Sequence, residues 1–160
     1  MPEFICDTSP LQYLHQLGRL DLLRRLTGRL VVPSAVAAEL AEGHRCGADV
    51  PDPGALSWIV TREPRGQAAL PPMVDLGPGE TAVLALALES DDGVAILDDG
   101  LARRHARRLN LRLTGTLGLL VDAKRAGLIE AVAPLLDDLD ALRFHLDART
   151  RQTVLRLAGE

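Results

Sequence analysis

The chain has 160 residues, a length typical of one domain that buries its own core. Apolar residues make up 47% of it but only four residues are aromatic, so the core must consist mainly of leucine, valine and alanine. The net charge of −4 indicates no particular class of partner, and the longest apolar run, 82–88, is too short to span a bilayer. With no signal peptide and no metal-binding cysteine spacing, we expect a reduced, cytoplasmic protein with no membrane partner.

Short apolar strands alternate with helices along the chain. The predicted strands are 4–6, 30–32, 57–60, 94–97 and 112–114. The predicted helices are 10–17, 20–28, 35–42, 80–88, 101–109 and 117–126, with two more between 130 and 159 that are separated near 144–147. Residues 62–72, with three prolines and a glycine, are predicted to be irregular. This order predicts an α/β sandwich with a mostly parallel sheet.

The first strand ends at a carboxylate, Asp7. Ser9 is predicted to cap the helix that follows, with Pro10 in its first position and Gln12 completing a capping box. Asp7 then lies at the C-terminal edge of the sheet, where open α/β sheets bind ligands. The pair Asp98-Asp99 ends another strand, so right-handed crossovers place it at the same edge.

Two glutamates join these aspartates as candidates. Each acid alone has a structural explanation: Glu80 suits the third position of a helix capped by Gly77, Glu39 suits a solvated helix face, and Asp98 and Asp99 suit a turn. Together they would repel one another unless a cation lies among them. Oxygen ligands without histidine or cysteine favour Mg²⁺ or Mn²⁺, which can promote phosphodiester hydrolysis.

Four segments resemble the motifs of PIN domains, in particular the bacterial and archaeal branch of uncharacterised VapC-like proteins. They are Asp-Thr-Ser-Pro at 7–10, Val-Pro-Ser-Ala-Val-x-x-Glu-Leu at 32–40, Gly-x-Gly-Glu-x-x-x-x-x-Leu-Ala at 77–87 and Ile-Leu-Asp-Asp at 96–99. The resemblance covers residues 3 to about 130. It implies a three-layer α/β/α sandwich with a helical C-terminal tail, in one domain over 1–160 with its core at about 3–130 and its last helices at about 130–159.

The same resemblance implies an Mg²⁺- or Mn²⁺-dependent endoribonuclease, commonly the toxin of a toxin–antitoxin pair. Its partners would be an RNA substrate, a small antitoxin protein and a second copy of the chain in a homodimer. The acids assigned to catalysis are Asp7, Glu39, Glu80, which stands where many relatives have aspartate, and Asp98 or Asp99. The metal would bind among these acids, chiefly Asp7, Glu80 and the Asp98-Asp99 pair. The supporting residues are Thr8 and Thr116.

A basic helix follows the acid pair. Its arginines are Arg103, Arg104, Arg107 and Arg108, and residues 98–125 hold seven bases against three acids. This helix is either a phosphate-binding patch beside the metal site or a solvated face. With so few aromatic residues we expect no stacking platform for bases, so recognition would depend on phosphate and shape.

Two other functions fit parts of the chain. A non-catalytic regulator could keep the fold and bind nucleic acid or a protein partner. Residues 77–82 match the dinucleotide-binding pattern G-x-G-x-x-A, with Asp98 about twenty residues further on. That pattern belongs directly after a strand, whereas Pro71 and Pro72 and a loop precede it here, which argues against a dinucleotide site.

Overall fold

A computed structural model of the chain describes residues 2–66, 70–71 and 75–160. Within these ranges five strands form one sheet in the order β3-β2-β1-β4-β5, and every neighbouring pair is parallel. The strands are β1 (Glu3–Cys6), β2 (Leu30–Pro33), β3 (Ile59–Arg62), β4 (Gly93–Ile96) and β5 (Arg112–Thr114). The predicted parallel sheet is confirmed, although β3 begins two residues later than expected. The predicted irregular stretch 62–72 lies partly outside the described residues.

Helices cover both faces of the sheet and complete the predicted three-layer α/β/α sandwich. In the described ranges they are α1 (Thr8–Gln16), α2 (Leu20–Thr27), α3 (Ser34–Arg45), α4 (Pro78–Glu89), α5 (Gly100–Arg108), α6 (Thr116–Arg125), α7 (Ala133–Ala141) and α8 (Ala148–Leu157). Helix α4 packs against β1, β2, β4 and α3, which explains why it is apolar on nearly every side. Helix α6 packs against α1, α2 and α8.

Leucine, valine, isoleucine and alanine fill the core, as the composition requires. All four residues of β2 are buried, as are the last two of β1 and the last three of β4. A strand that is buried on both faces consists of consecutive apolar residues, which is why these three strands could be predicted from the sequence.

No helix among the described residues is long and apolar enough to cross a membrane.

The sheet reverses its direction of growth next to β1. From β1 the chain adds β2 and β3 on one side, and then returns to place β4 and β5 on the other. Cys6 at the end of β1 pairs with Ile96 at the end of β4, and the N–H of Asp7 donates to the Ile96 carbonyl at 3.1 Å. In open α/β sheets the crevice at such a switch point is the usual ligand site. Asp7 and Asp98 both follow the strands that border it.

The predicted capping box at the start of α1 is wrong. Helix α1 begins at Thr8, its N-cap is Asp7, and the cap residue makes no side-chain hydrogen bond to the helix. Ser9 is not the cap because its hydroxyl instead donates to Asp98 Oδ2 at 3.1 Å. The hydrogen bond from Ser9 to Asp98, which is far away in the sequence, replaces the predicted capping hydrogen bond within the helix.

Candidate active site

Asp7 is the most deeply placed acid of the site, with 5% of the residue exposed. Burial raises its pKa to about 7, because an ionised carboxylate loses its hydration there. The N–H of Thr8 opposes this shift, while the charges of Glu80, Glu39 and Asp98 add to it, in that order. Three predicted acids therefore lie close enough to Asp7 to disfavour its ionisation.

Glu39 is held by a threonine from another helix. Thr8, the first residue of α1, donates its hydroxyl to Glu39 Oε2 at 2.6 Å, and α1 packs against α3. Glu39 lies on α3, and this contact draws its carboxylate toward the end of β1. The structure thus brings together two residues that the sequence analysis named separately.

Gly79 lets these carboxylates approach the first turn of α4. A Cβ atom at this position would lie 2.9 Å from Glu39 Oε1 and 3.1 Å from Asp7 Oδ1. Any side chain would therefore displace the Glu39 carboxylate, which is the end of a flexible chain. The motif of residues 77–80 contains this glycine, but Gly79 was not predicted to be part of the acidic site.

Glu80 occupies the third position of α4, whose N-cap is Gly77, as predicted. Its side chain folds back over the start of the helix, with Oε2 2.6 Å from where a Cβ of Gly77 would lie. The carboxylate therefore lies over the N-terminus of α4.

Asp98 is held by three donors. Its Oδ1 accepts the Thr116 N–H at 2.7 Å, and its Oδ2 accepts the Thr116 hydroxyl at 2.6 Å and the Ser9 hydroxyl at 3.1 Å. Burial still raises the pKa of Asp98, although these hydrogen bonds and the charge of Arg103 favour the ionised form. Gly115 leaves room for this packing, because a Cβ there would lie 2.8 Å from Asp98 Oδ1.

The neighbouring acid has a different partner. Asp99 is the N-cap of α5, and its Oδ2 accepts the Ala102 N–H at 2.9 Å. The two adjacent carboxylates thus separate: one meets Thr116 and Ser9 at the sheet edge, and the other caps a helix.

The four arginines of α5 also separate into two pairs. Arg103 is half-buried, and its Nη1 donates to the Leu97 carbonyl at 2.8 Å. Arg103 and Arg107 line a cleft of about 610 Å³ that has Asp98 in its wall. Arg104 and Arg108 are exposed and lie outside the lining of this cleft.

Comparison with protein families gives a match over nearly the whole chain. Residues 3–160 match the DUF3368 family model, which is described as a PIN domain. The chain belongs to the PIN domain family. Curated proteins and solved structures gave no significant match. PIN domains are in general nucleases that act on nucleic acid with divalent metal ions.

The donor chemistry of this PIN domain fits such an ion. Asp7, Glu39, Glu80 and Asp98 offer only carboxylate oxygens, the ligands that Mg²⁺ and Mn²⁺ prefer. A nearby cation would also offset the burial and repulsion that raise the pKa of Asp7. Within the described ranges, no three acidic, histidine or cysteine side chains already surround one point closely enough to hold an ion.

The glycines of the PIN domain's G-x-G-x-x-A pattern do not face an anion site. Gly79 lies against the carboxylates of Asp7 and Glu39, which would repel a pyrophosphate. Leu76, directly before Gly77, is not in a strand. Both observations weigh against a dinucleotide-binding role.

Sequence reasoning missed Ser9, Gly79 and Gly115 as parts of this site. Ser9 was assigned to a local cap, and its contact with Asp98 depends on how β1 and β4 pair. The two glycines carry no chemistry of their own. Their signal is their position, since each stands directly beside a candidate residue in the sequence, Glu80 or Thr116.

Proposed function

We propose that this PIN domain is an Mg²⁺- or Mn²⁺-dependent endoribonuclease that hydrolyses phosphodiester bonds in RNA. The observation that carries the proposal is the meeting of carboxylates at the switch point of the sheet: Gly79 lies against both Asp7 and Glu39, and Asp98 follows the strand paired with β1. A buried carboxylate with a pKa near 7 is unfavourable to ionise by itself, and functional sites are where such groups concentrate.

Asp7, Glu80 and Asp98 would hold the metal, with Glu39 beside them. A bound Mg²⁺ or Mn²⁺ supplies an activated water and stabilises the charge that develops on the phosphate. The chain's other residues position these acids: Thr8 orients Glu39 through its hydroxyl, and Thr116 and Ser9 orient Asp98. Asp99, as the cap of α5, has a structural role in this proposal.

Arg103 and Arg107 provide positive charge next to Asp98. Both line the cleft beside this carboxylate, so they can bind the phosphates of an RNA strand that reaches the acids. Arg103 is oriented by its hydrogen bond to the Leu97 carbonyl. In this proposal the acids act on the scissile phosphate and the arginines hold its neighbours.

We further propose that the protein is the toxin of a toxin–antitoxin pair and acts in the cytoplasm. Its partner would be a small antitoxin protein, and it would assemble as a homodimer. The support is the likeness of its motifs to VapC-like proteins. Induced expression should then arrest growth, and Asp7→Asn should relieve the arrest. A short open reading frame overlapping the gene would add support.

The deciding experiment measures cleavage of single-stranded RNA by the purified protein with Mg²⁺, Mn²⁺ or EDTA. We expect cleavage that requires the divalent ion and is lost in Asp7→Asn. Asp21→Asn is the matched control, because it makes the same change at an exposed position of α2. Cleavage that survives Asp7→Asn would contradict the site. Salt-dependent RNA binding without cleavage, indifferent to metal and to Asp7→Asn, would indicate a non-catalytic regulator instead.

A further inference from the structure

The cleft beside Asp98 has walls of different chemistry. One wall is basic and comes from α5, with Arg103 and Arg107 one helical turn apart. The turn between α7 and α8 contributes Phe144 and His145 to the same lining. The volume of the cleft, about 610 Å³, falls within the range of small-ligand sites.

The turn that carries Phe144 is well fixed. Arg143 has a φ of +64°, and the N–H of Phe144 donates to the Leu139 carbonyl at 3.0 Å, which is the Schellman pattern for ending a helix. The ring of Phe144 also meets Tyr13 of α1 edge to face, with the ring centroids 4.9 Å apart. The Phe144 ring is therefore held in place before any ligand arrives.

The apolar part of the lining continues from this ring. Leu113 and Leu117 line the same cleft, and Phe144 is half-buried while His145 is exposed. An aromatic ring and a histidine in the same cleft as two arginines match the two halves of a nucleotide. The base would pack on the apolar and aromatic side, and the phosphate would meet the guanidinium groups.

We propose that this cleft is a subsite for one unstacked nucleotide of a single-stranded RNA, adjacent to the phosphate that reaches Asp98. The proposal rests on the proposed function and extends it, since it names the residues that would bind the nucleotide next to the scissile phosphate. The small number of aromatic residues predicted no stacking platform for bases, and the subsite differs from that prediction by using one of the chain's two phenylalanines, which lines the cleft.

The test measures RNA binding without cleavage. Fluorescence anisotropy would follow a labelled single-stranded RNA on the Asp7→Asn protein, with an abasic strand of the same length and a duplex as further probes. Phe144→Leu removes the ring and Arg107→Ala removes the charge. Phe4→Leu is the matched control for the ring, because Phe4 lies on β1, and Arg24→Ala, on the exposed side of α2, is the control for the charge.

We expect Phe144→Leu to weaken binding of the single strand at least about fivefold and to leave the abasic strand unaffected, since stacking needs a base. Arg107→Ala should weaken both strands and lower the slope of log K against log salt by about 0.7, the value for one phosphate contact. Arg104→Ala, on the same helix outside the cleft, should cost less than Arg107→Ala. The duplex should bind more weakly than the single strand.

The subsite is wrong if Phe144→Leu binds as its parent does, if it weakens both strands equally, or if Arg104→Ala and Arg107→Ala cost the same. Should Phe144→Leu fail to fold, as judged by thermal melting, His145→Ala replaces it with the same expected preference for strands with bases. Cleavage by the wild-type protein decides the ribonuclease proposal separately. If the wild-type protein cleaves RNA but the Phe144 and Arg107 variants bind it normally, only the subsite proposal is wrong. If those variants bind RNA more weakly but the wild-type protein does not cleave it, only the ribonuclease proposal is wrong.

Discussion

Thr116 holds the Asp98 carboxylate at both of its oxygens, through its N–H at 2.7 Å and its hydroxyl at 2.6 Å. Both donors belong to the first residue of α6, so the start of that helix fixes the orientation of a carboxylate that follows β4. Asp99 cannot share this position, because its own carboxylate caps α5. The geometry therefore favours Asp98 over Asp99 for the metal site that we propose.

Substituting the two acids separately should give different losses. Asp98→Asn should reduce divalent-dependent RNA cleavage at least about 100-fold, more than loss of an outer contact would. Asp99→Ala should keep cleavage within a few-fold and lower the free energy of unfolding by about 1 kcal/mol, the usual cost of a lost N-cap. Cleavage rates and urea unfolding measure the two effects. Equal loss of cleavage in both variants would contradict the division of roles.

Gly79→Ala should damage the site more than the fold. Alanine in a helix is ordinarily favoured over glycine by roughly 1 kcal/mol, which here opposes the strain of moving the Glu39 carboxylate away from the new Cβ. We expect the melting temperature to change by a few degrees at most and cleavage to fall about tenfold or more. Gly100→Ala is the control, because Gly100 also lies at a helix start but has no atom near its added Cβ. Full cleavage by Gly79→Ala would remove this glycine from the site.

Local sequence patterns predicted the sheet well, because its three central strands are largely buried and read as apolar runs. The end of β1 at Cys6 follows from its run, and β4 ends at Ile96, one residue before the predicted end, so the meeting of Asp7 and Asp98 at one edge also follows. Because all the strands are parallel, their C-terminal ends lie at the same edge of the sheet. Predicting the strand ends therefore also predicts that the residues after them meet at that edge.

The details of the site depend on contacts that no local pattern contains. Ser9 has the sequence context of a helix cap, yet its hydroxyl reaches Asp98, 89 positions away. Glu39, taken alone, looks like a solvated helix acid until α1 brings Thr8 beside it. Phe144 enters the cleft only because the turn after α7 folds back beside Tyr13. Each of these depends on packing between elements and not on the order of residues within one.

Thr8 should affect the metal rather than the fold. In Thr8→Val the Glu39 carboxylate loses the hydroxyl that holds it at 2.6 Å, so it no longer lies fixed beside Asp7. We expect the Mn²⁺ concentration for half-maximal cleavage to rise about tenfold, the usual effect of removing an orienting partner. Thr8→Ser keeps the hydroxyl and should restore most of the affinity. A similar defect in Thr8→Ser would indicate that the methyl group, and not the hydrogen bond, matters.

The pKa of Asp7 predicts how the stability of the metal-free protein depends on pH. Burial raises this pKa from 3.8 to about 7, so between these values the native state binds a proton that the unfolded chain does not. The stabilisation is present in full below about pH 4 and is lost as the pH rises through about 7, with a total on the order of 4 kcal/mol.

The measurement is urea unfolding in EDTA from pH 5 to pH 8, with Asp7→Asn as the comparison because it carries no titrating group at this position. The stability of the wild type relative to Asp7→Asn should fall from pH 5 to about pH 7 and level off toward pH 8, since Asp7 becomes charged in a buried place beside Glu80 and Glu39. Burial also raises the pKa of Asp98, which adds a fall in the same direction in both proteins. The difference between them therefore reports the Asp7 charge together with its repulsion by Asp98. Adding Mg²⁺ at pH 8 should restore the wild type and leave Asp7→Asn nearly unchanged, because only the ionised carboxylate gains from the cation. A difference between the two proteins that does not vary with pH would show that Asp7 ionises normally in the folded state.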